Sequence, residues 1–157
     1  MARDPAANIL EIWTRLKRYP FGRWIFNFLL RRLVPYTGTI SPIVRHLEPG
    51  RAEVEIKDRR RVRNHLRSIH ATALVTLGEA ASGLALIAAL PADQRSILVG
   101  FEIEYFKKAR GTLTAESTAP TIETSNERRE VLIESSIFDA SRNEVAHATA
   151  RWLVGPR

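Results

Sequence analysis

The feature that most constrains this chain is an apolar segment, residues 69–90, whose helical pattern is filled with small side chains. Leu74, Leu77 and Leu84 recur there at helical spacing, and Pro91 ends the segment. The small residues between them are Ala80, Ala81, Ser82, Gly83, Ala85, Ala88 and Ala89. Small side chains on nearly every face suit a helix enclosed by a sheet, because a surface helix keeps one polar face. We therefore expect one central helix with strands packed around it.

Strand patterns stand on both sides of this segment. Before it, residues 43–56 read as two strands joined at Pro49-Gly50, and Ala52, Val54 and Ile56 alternate with Glu53 and Glu55, which predicts a hairpin. After it come four runs with alternating apolar residues, at 97–108, 112–122, 129–139 and 144–154. Turn residues separate these runs, so we expect a four-stranded meander behind the helix.

The N-terminal part of the chain predicts a helical arm. Apolar residues recur at helical spacing over residues 8–33, with Arg and Lys between them. Pro20 divides this pattern into two helices, and Pro35 ends the second. We expect an arm over residues 1–36 and a main domain over 37–157. The amphipathic pattern favours an arm that packs on its own domain or on a subunit partner, whereas its Trp, Phe and Arg content also permits peripheral membrane contact.

The composition narrows the possible chemistry. The chain has 157 residues, enough for one domain with its own core. It contains no cysteine, which excludes disulfides, thiolate metal sites and cysteine nucleophiles. Its four histidines match no familiar zinc spacing, so we expect neither a metal nor another cofactor.

The charge balance bears on partners and location. Lys and Arg outnumber Asp and Glu by 24 to 17, which favours an anionic partner or else a merely basic soluble surface. No nucleic-acid-binding motif accompanies the charge, so we expect no nucleic acid partner. Residues 1–7 are polar and do not resemble a signal peptide. The longest apolar-looking stretch, residues 24–30, is far shorter than the roughly 20 residues of a membrane span, so we expect a cytoplasmic protein.

A spaced set of polar residues leads into the central helix. Asn64 is followed six residues later by His70, and nine residues after that by Glu79. This stretch resembles the signature of the phenylacetate-pathway type of acyl-CoA thioesterase, in which an Asn, a His and an acidic residue stand at the same spacing. It also resembles a branch of that superfamily defined as a domain of unknown function. The likeness covers residues 40–154, and the arm fits only the latter branch. It implies an α+β hotdog fold, in which an antiparallel sheet wraps around one central helix.

The resemblance also implies a role for each residue. Glu79 matches the helix carboxylate that acts as general base or nucleophile, and the backbone N–H of Ala71 matches the oxyanion donor. Asn64 matches the residue that orients the attacking water or the carboxylate, and His70 helps to hold the loop. The implied activity is hydrolysis of an acyl-CoA thioester. The alternative is a protein that binds acyl-CoA or a fatty-acyl ligand without hydrolysing it.

Helix geometry separates these residues within one chain. Nine residues rise about 13.5 Å along an α-helix and turn through nine steps of 100°, so Glu79 and His70 lie on opposite sides. A two-fold dimer with antiparallel central helices would bring Glu79 of one subunit near Asn64 and Ala71 of the other. We therefore expect a homodimer or a dimer of dimers. At Ala71, the positive end of the helix dipole would favour a developing oxyanion.

Several positions differ from the family pattern or bear on substrate binding. Ala71 and Thr72 stand where the family usually has two glycines, and Arg67 replaces a loop glycine. Leu98 aligns where active thioesterases often place Ser or Thr near the substrate. We expect Thr72 and Leu98 to line the substrate site. Basic residues that we expect to bind the phosphates of a CoA-like ligand are Arg63, Lys107, Lys108 and Arg110.

Overall fold

The chain begins with a helical arm and continues into a sheet that surrounds a single long helix. The computed structural model describes residues 8–157. In chain order the elements are α1 (Ile9–Leu16), α2 (Gly22–Leu33), α3 (Pro35–Gly38), β1 (Ile43–Glu48), β2 (Arg51–Ile56), a 3₁₀ turn (Arg60–Val62), α4 (Ala71–Ala89), β3 (Gln94–Tyr105), β4 (Leu113–Thr118), β5 (Arg129–Phe138) and β6 (Glu144–Pro156). The predicted α+β class, with one central helix, is confirmed.

The strands form one antiparallel sheet of six, in the order β1-β2-β4-β5-β6-β3. The predicted hairpin of β1 and β2 is present, and its turn uses Gly50 at a φ of 77°. The predicted four-stranded meander is wrong, because only β4, β5 and β6 are consecutive neighbours and β3 lies beyond β6 at the far edge. Residues 106–112 between β3 and β4 are too many to impose a hairpin. Instead β4 pairs with β2, which brings strands from both halves of the sheet against α4.

The small residues of α4 allow it to lie close against the sheet. A Cβ on Gly78 would come within 3.2 Å of the Ala148 Cβ, and one on Gly83 would come within 3.1 Å of the Trp152 ring. The Ser135 hydroxyl donates a 3.0 Å hydrogen bond to the Gly78 carbonyl and so fixes the middle of the helix to β5. The expectation of a helix enclosed by strands is therefore confirmed.

The same helix corrects the sequence-based view of membrane spans. Within residues 8–157, α4 alone is long and apolar enough to cross a membrane by length and composition. The expectation that residues 24–30 are the longest apolar stretch of the chain is therefore wrong. Because 67% of the α4 window is buried inside the fold, packing against the sheet accounts for its apolar character.

The arm packs against β1 at one edge of the sheet. Trp13 of α1 and Phe26 of α2 meet edge to face, with ring centroids 5.0 Å apart, and both belong to the main hydrophobic core. Between them and β1, the buried Asn27 accepts a 2.6 Å hydrogen bond from the Val44 backbone N–H. The two predicted helices are present, and the further turn α3 was not predicted. The boundary between an arm and a main domain at residue 36 stays a prediction.

Candidate functional site

The loop before α4 is organised by Asn64. Its Oδ1 accepts hydrogen bonds from the backbone N–H groups of Leu66, at 2.9 Å, and Ser68, at 3.2 Å, and from the Ser68 hydroxyl, at 3.1 Å. This side-chain turn holds the loop in place. The Asn64 Nδ2 makes no hydrogen bond to any residue of the described chain, so its two donors are available to a ligand. Arg67 completes the loop in the left-handed region, at a φ of 55°.

His70 caps the start of α4. Its Nδ1 accepts a 3.2 Å hydrogen bond from the Thr72 backbone N–H and lies 2.8 Å from the Thr72 hydroxyl. Because a backbone N–H only donates, Nδ1 is unprotonated in this arrangement and the ring proton is on Nε2. The His70 backbone N–H donates to the Val62 carbonyl at 2.8 Å. These contacts support the loop and the helix start.

Ala71 is the first residue of α4, and its backbone N–H has no acceptor among residues 8–157. Its carbonyl accepts a 3.2 Å hydrogen bond from the Tyr105 hydroxyl. Tyr105 ends β3, so this bond ties the edge strand to the start of the helix. No role was predicted for Tyr105, since no spacing rule relates residues that are 34 positions apart.

Glu79 lies a little over two turns beyond Ala71 in α4 and is partly buried. No described residue forms an ion pair or a hydrogen bond with its carboxyl group. Burial raises the pKa of Glu79 above its ordinary value. One chain thus brings Asn64, His70 and Ala71 together at the start of the helix, and separates Glu79 from His70 by about 13.5 Å of helix axis.

Arg63 is already engaged in an ion pair. Its Nε lies 2.6 Å from Oδ1 of Asp58, whose Oδ2 accepts a hydrogen bond from the Gly111 backbone N–H at 2.9 Å. Desolvation alone would raise the pKa of Asp58, but the hydrogen bonds from Arg63 and Gly111 outweigh it and lower that pKa. The pair therefore fastens the segment before the site to the turn that precedes β4.

The predicted phosphate-binding residues after β3 differ in availability. Lys107 forms a 2.8 Å ion pair with Asp139. The hydrogen bond from Lys107 and that from the Asn143 backbone N–H lower the pKa of Asp139 to about 2. Lys108 and Arg110 are exposed and have no ion-pair partner within 4.0 Å in the described part of the chain. These two cations are the freer ones for an anionic ligand.

A cavity of about 270 Å³ opens beside the start of α4. Its polar lining includes Tyr36, Thr39, Arg61, Arg63, His70 and Thr72. The sequence analysis missed Tyr36 and Thr39, because nothing in their spacing ties the end of the arm to the helix start. Leu98 does not line this cavity. It lies on β3 opposite Trp152 and packs partly against the core.

No group of three or more His, Asp or Glu side chains in residues 8–157 is arranged to hold a metal ion. The start of α4 offers an amide, an unpaired N–H and nearby cations, and Glu79 offers a carboxyl group further along the helix. Acid–base and oxyanion chemistry both lie within that set.

Comparison with known proteins identifies the family. Residues 22–154 match the family described as a domain of unknown function, DUF4442. The chain belongs to this family. The match begins at Gly22 and so includes α2, in keeping with the branch whose members carry the arm. The comparison with curated proteins found no match.

Solved structures confirm the hotdog fold. The structural-genomics protein APC5556 is similar with a TM-score of 0.81 and 26% identity, over 97% of this chain and 99% of that one. A probable thioesterase of Pseudomonas aeruginosa has a TM-score of 0.76 and 19% identity, over 83% and 93% of the two chains. A mutant of the phenylacetic acid degradation protein PaaI of Thermus thermophilus has a TM-score of 0.64 and 20% identity, over 76% and 97%. Both resemblances found in the sequence are thus confirmed at the level of fold.

Proposed function

We propose that this DUF4442 protein hydrolyses an acyl-CoA thioester, with Glu79 as base or nucleophile and the Ala71 N–H as oxyanion donor. The observation that carries the proposal is the carboxyl group of Glu79, partly buried on the core helix without a partner among residues 8–157. Burying a carboxylate without a partner costs stability, so such a group is a candidate for function. A purely structural carboxylate would gain from a nearby cation or donor.

The proposed reaction uses the raised pKa of Glu79. Its carboxylate takes a proton from a water molecule as the water oxygen attacks the thioester carbonyl carbon. The carbonyl oxygen gains the negative charge and accepts a hydrogen bond from the Ala71 backbone N–H. When the C–S bond breaks, the sulfur takes the proton from Glu79 and CoA leaves as the thiol, and the acyl group leaves as a carboxylic acid. The free amide donors of Asn64 orient the water or the carboxylate.

The proposed site needs two subunits, and the edge of the sheet supports a dimer. The strand β3 pairs with β6 on one side only and is 12 residues long. Along it Ile97 is 63% exposed and Val99 is 43% exposed. A long edge strand with exposed apolar side chains invites a partner strand. An isologous pairing of two β3 strands would bury this edge and set two copies of α4 in opposite directions.

Cations near the start of α4 support a ligand with phosphates. Lys108 and Arg110 are exposed and free of ion pairs in the described chain, and Arg61 and Arg63 line the cavity beside His70. Lys107 and Arg63 would have to share their carboxylate partners with a phosphate, so we assign them the weaker contributions.

A hydrolysis screen with short, long and aromatic acyl-CoA esters tests the proposal. The Glu79→Gln protein should lose at least about 100-fold in kcat, because general base catalysis contributes that much or more. Glu134→Gln is the matched control, since Glu134 is an exposed carboxylate on β5 and its removal should leave kcat unchanged. A wild-type protein that hydrolyses none of these esters, or a Glu79→Gln protein with full activity, would contradict the proposal.

Mixed dimers test the sharing of the site. Asn64→Asp keeps the oxygen that holds the loop but removes the amide donors, so it should fold and be inactive. Co-expression of Asn64→Asp and Glu79→Gln chains should restore about a quarter of the wild-type activity, because half of the dimers are mixed and each then has one intact site. If both residues acted within one chain, the mixture would stay inactive.

The second candidate function is binding of an acyl-CoA or fatty-acyl ligand without hydrolysis. Thr72 favours it, because this residue replaces a family glycine and its hydroxyl lies 2.8 Å from Nδ1 of His70, beside the proposed oxyanion donor. Leu98 favours it too, as an apolar residue where active relatives often have a hydroxyl. Thermal stabilisation by an acyl-CoA without turnover would support this reading. The absence of any stabilisation would remove it.

A further inference from the structure

The helix α2 exposes apolar side chains on the face that points away from the core. Two ridges of i, i+4 neighbours run along this outer face of α2, one through Trp24 and Phe28 and the other through Ile25, Leu29 and Leu33. All five side chains are exposed, although each is aromatic or aliphatic. The rings of Trp24 and Phe28 are stacked, with their centroids 5.8 Å apart. Together the five side chains form an apolar patch much larger than that of a single exposed residue.

The inner face of α2 already packs on the core. Phe26 and Leu30 are buried there, and Asn27 is buried with them and bound to the backbone of β1. A contiguous apolar patch that stays exposed on a helix marks an interaction surface. No described element covers the outer face of α2, so a binding partner outside this chain is the natural explanation.

The arm that carries this outer face is rich in cations. Residues 8–38 contain six Lys and Arg residues and one acidic residue, and six minus one gives a net charge of +5. The Arg32 guanidinium lies 5.3 Å from the centroid of the Phe28 ring. Lys17 and Arg18 are exposed just before α2. Aromatic and aliphatic side chains among cations are the composition of helices that lie in the headgroup region of anionic bilayers.

An apolar groove of about 410 Å³ extends the surface between α1 and α2. Its described lining residues are Ile9, Ile12, Phe26, Leu29, Leu30, Arg32 and Leu33, and Arg32 alone among them carries a charge. A groove with one cation in an otherwise apolar wall suits a phospholipid, because the acyl chain can lie in the groove while the phosphate group contacts the cation.

A second copy of the chain is a poorer occupant. A two-fold contact through this face would set two arms against each other, and like charges of +5 would meet. The other unpaired feature is the β3 edge, which lies at the opposite end of the sheet from β1, where α2 packs. Five strand spacings of about 4.8 Å separate these two edges along the sheet. Pairing through β3 would therefore leave α2 uncovered.

We propose that the outer face of α2 and the adjoining groove dock on the surface of an anionic lipid bilayer. Trp24 and Phe28 enter the headgroup region, and Lys17, Arg18 and Arg32 face the lipid phosphates. The proposal rests on the arm alone, so it holds or fails independently of thioester hydrolysis.

Tryptophan fluorescence gives a direct test with the full-length protein. Trp24 is 66% exposed, whereas Trp13 is 2% and Trp152 is 6% exposed, so only Trp24 has much solvent contact to lose. Vesicles rich in phosphatidylglycerol should shift the emission to the blue and carry the protein down on centrifugation. Vesicles of phosphatidylcholine alone should do neither. Trp24→Phe should still sediment with the anionic vesicles but show no blue shift.

Three variants locate the contact. Lys17→Gln combined with Arg18→Gln should lower the vesicle binding constant about 30-fold at low salt, because two cations near an anionic surface are lost. Co-sedimentation at increasing lipid concentration measures this constant. Phe28→Glu should abolish it by placing a charge on the inserted face. Leu132→Glu is the matched control, since Leu132 is 64% exposed on β5, away from the arm. Its binding should equal that of the wild type. Circular dichroism checks folding, and if Phe28→Glu does not fold, the Lys17 and Arg18 variant carries the test.

Four results would overturn the proposal. The first two are a wild type that does not sediment with anionic vesicles and a wild type that sediments equally well with phosphatidylcholine. Phe28→Glu could lower the mass of the lipid-free protein in analytical ultracentrifugation, which would make this face an interface between copies. The fourth result concerns RNA. If an RNA oligonucleotide displaces the protein from vesicles, and the Leu132→Glu and Phe28→Glu proteins bind that RNA equally well, the cations serve a nucleic acid partner instead.

Discussion

Arg67 occupies the left-handed backbone region in the loop between Asn64 and His70, at a φ of 55°. The related thioesterases often have a glycine in this loop, and a residue with a Cβ is strained in that region because the Cβ crowds the following carbonyl. We predict that Arg67→Gly stabilises the fold. The backbone hydrogen bond from the Arg67 N–H to the Asn64 carbonyl, at 3.2 Å, needs no side chain and should persist.

The magnitude follows from two opposing effects. Relief of the left-handed strain contributes roughly 1–2 kcal/mol. The greater freedom of glycine in the unfolded chain offsets about 0.4–1 kcal/mol of this. The free energy of unfolding should therefore rise by about 1 kcal/mol, which raises Tm by about 2–4 °C for a chain of this size. Urea unfolding followed by circular dichroism measures the free energy, and calorimetry measures Tm.

Arg67→Ala separates the backbone effect from the loss of the side chain. It removes the same exposed cation but keeps the Cβ, so its stability should stay within about 0.5 kcal/mol of the wild type. If Arg67→Ala stabilised the protein as much as Arg67→Gly, the gain would come from charge and the strain argument would be wrong. An Arg67→Gly protein less stable than the wild type would refute the strain argument directly.

Three further predictions concern the arm and Glu79. Asn27→Ala leaves the buried N–H of Val44 without an acceptor and should cost about 1–3 kcal/mol in urea unfolding. Trp13→Ala removes the ring that packs on Phe26 and should cost about 3–5 kcal/mol in a single transition, and a separate early transition would contradict an arm that shares the main core. Burial raises the pKa of Glu79 above 4.5, so its ionised form destabilises the fold, and the stability present below pH 4.5 is lost as pH rises through the folded pKa. Glu79→Gln should therefore be more stable than the wild type at pH 7.5, with a difference that narrows at pH 4, as paired urea titrations can measure.

Local patterns predicted most elements of the fold. The period of 3.6 residues and the two prolines define α1 and α2, and the Pro49-Gly50 turn with the alternation after it defines the first hairpin. The position of β3 could not be predicted in this way. Its pairing with β6 is decided by the whole sheet closing around α4, and residues 106–112 carry no turn that would fix a neighbour. Sheet order is a long-range property, and the alternation of side chains reports only which face of a strand is buried.

Of the candidate site, the sequence could suggest only the residues that follow one another at a fixed spacing. Asn64, His70 and Glu79 follow one another at fixed intervals, and the helix geometry alone separates Glu79 from the other two. Tyr105 and Tyr36 reach the start of α4 through tertiary contacts, from β3 and from the end of the arm, so no local interval reveals them. The ion pairs of Arg63 and Lys107 were equally hidden. A run of cations in a sequence does not tell which of them are already bound to carboxylates.

The arm and the candidate site are joined through a short path. Val34 is the single residue between α2 and α3 and caps both, so no flexible linker separates the outer face of α2 from the turn that follows it. Tyr36 and Thr39, in and just after that turn, line the same cavity as His70. A bilayer that engages α2 would thus act on a helix whose next turn borders the start of α4. Phosphates are also the shared chemistry of a lipid surface and of CoA, which gives one reason for cations to be present both on the arm and beside the cavity.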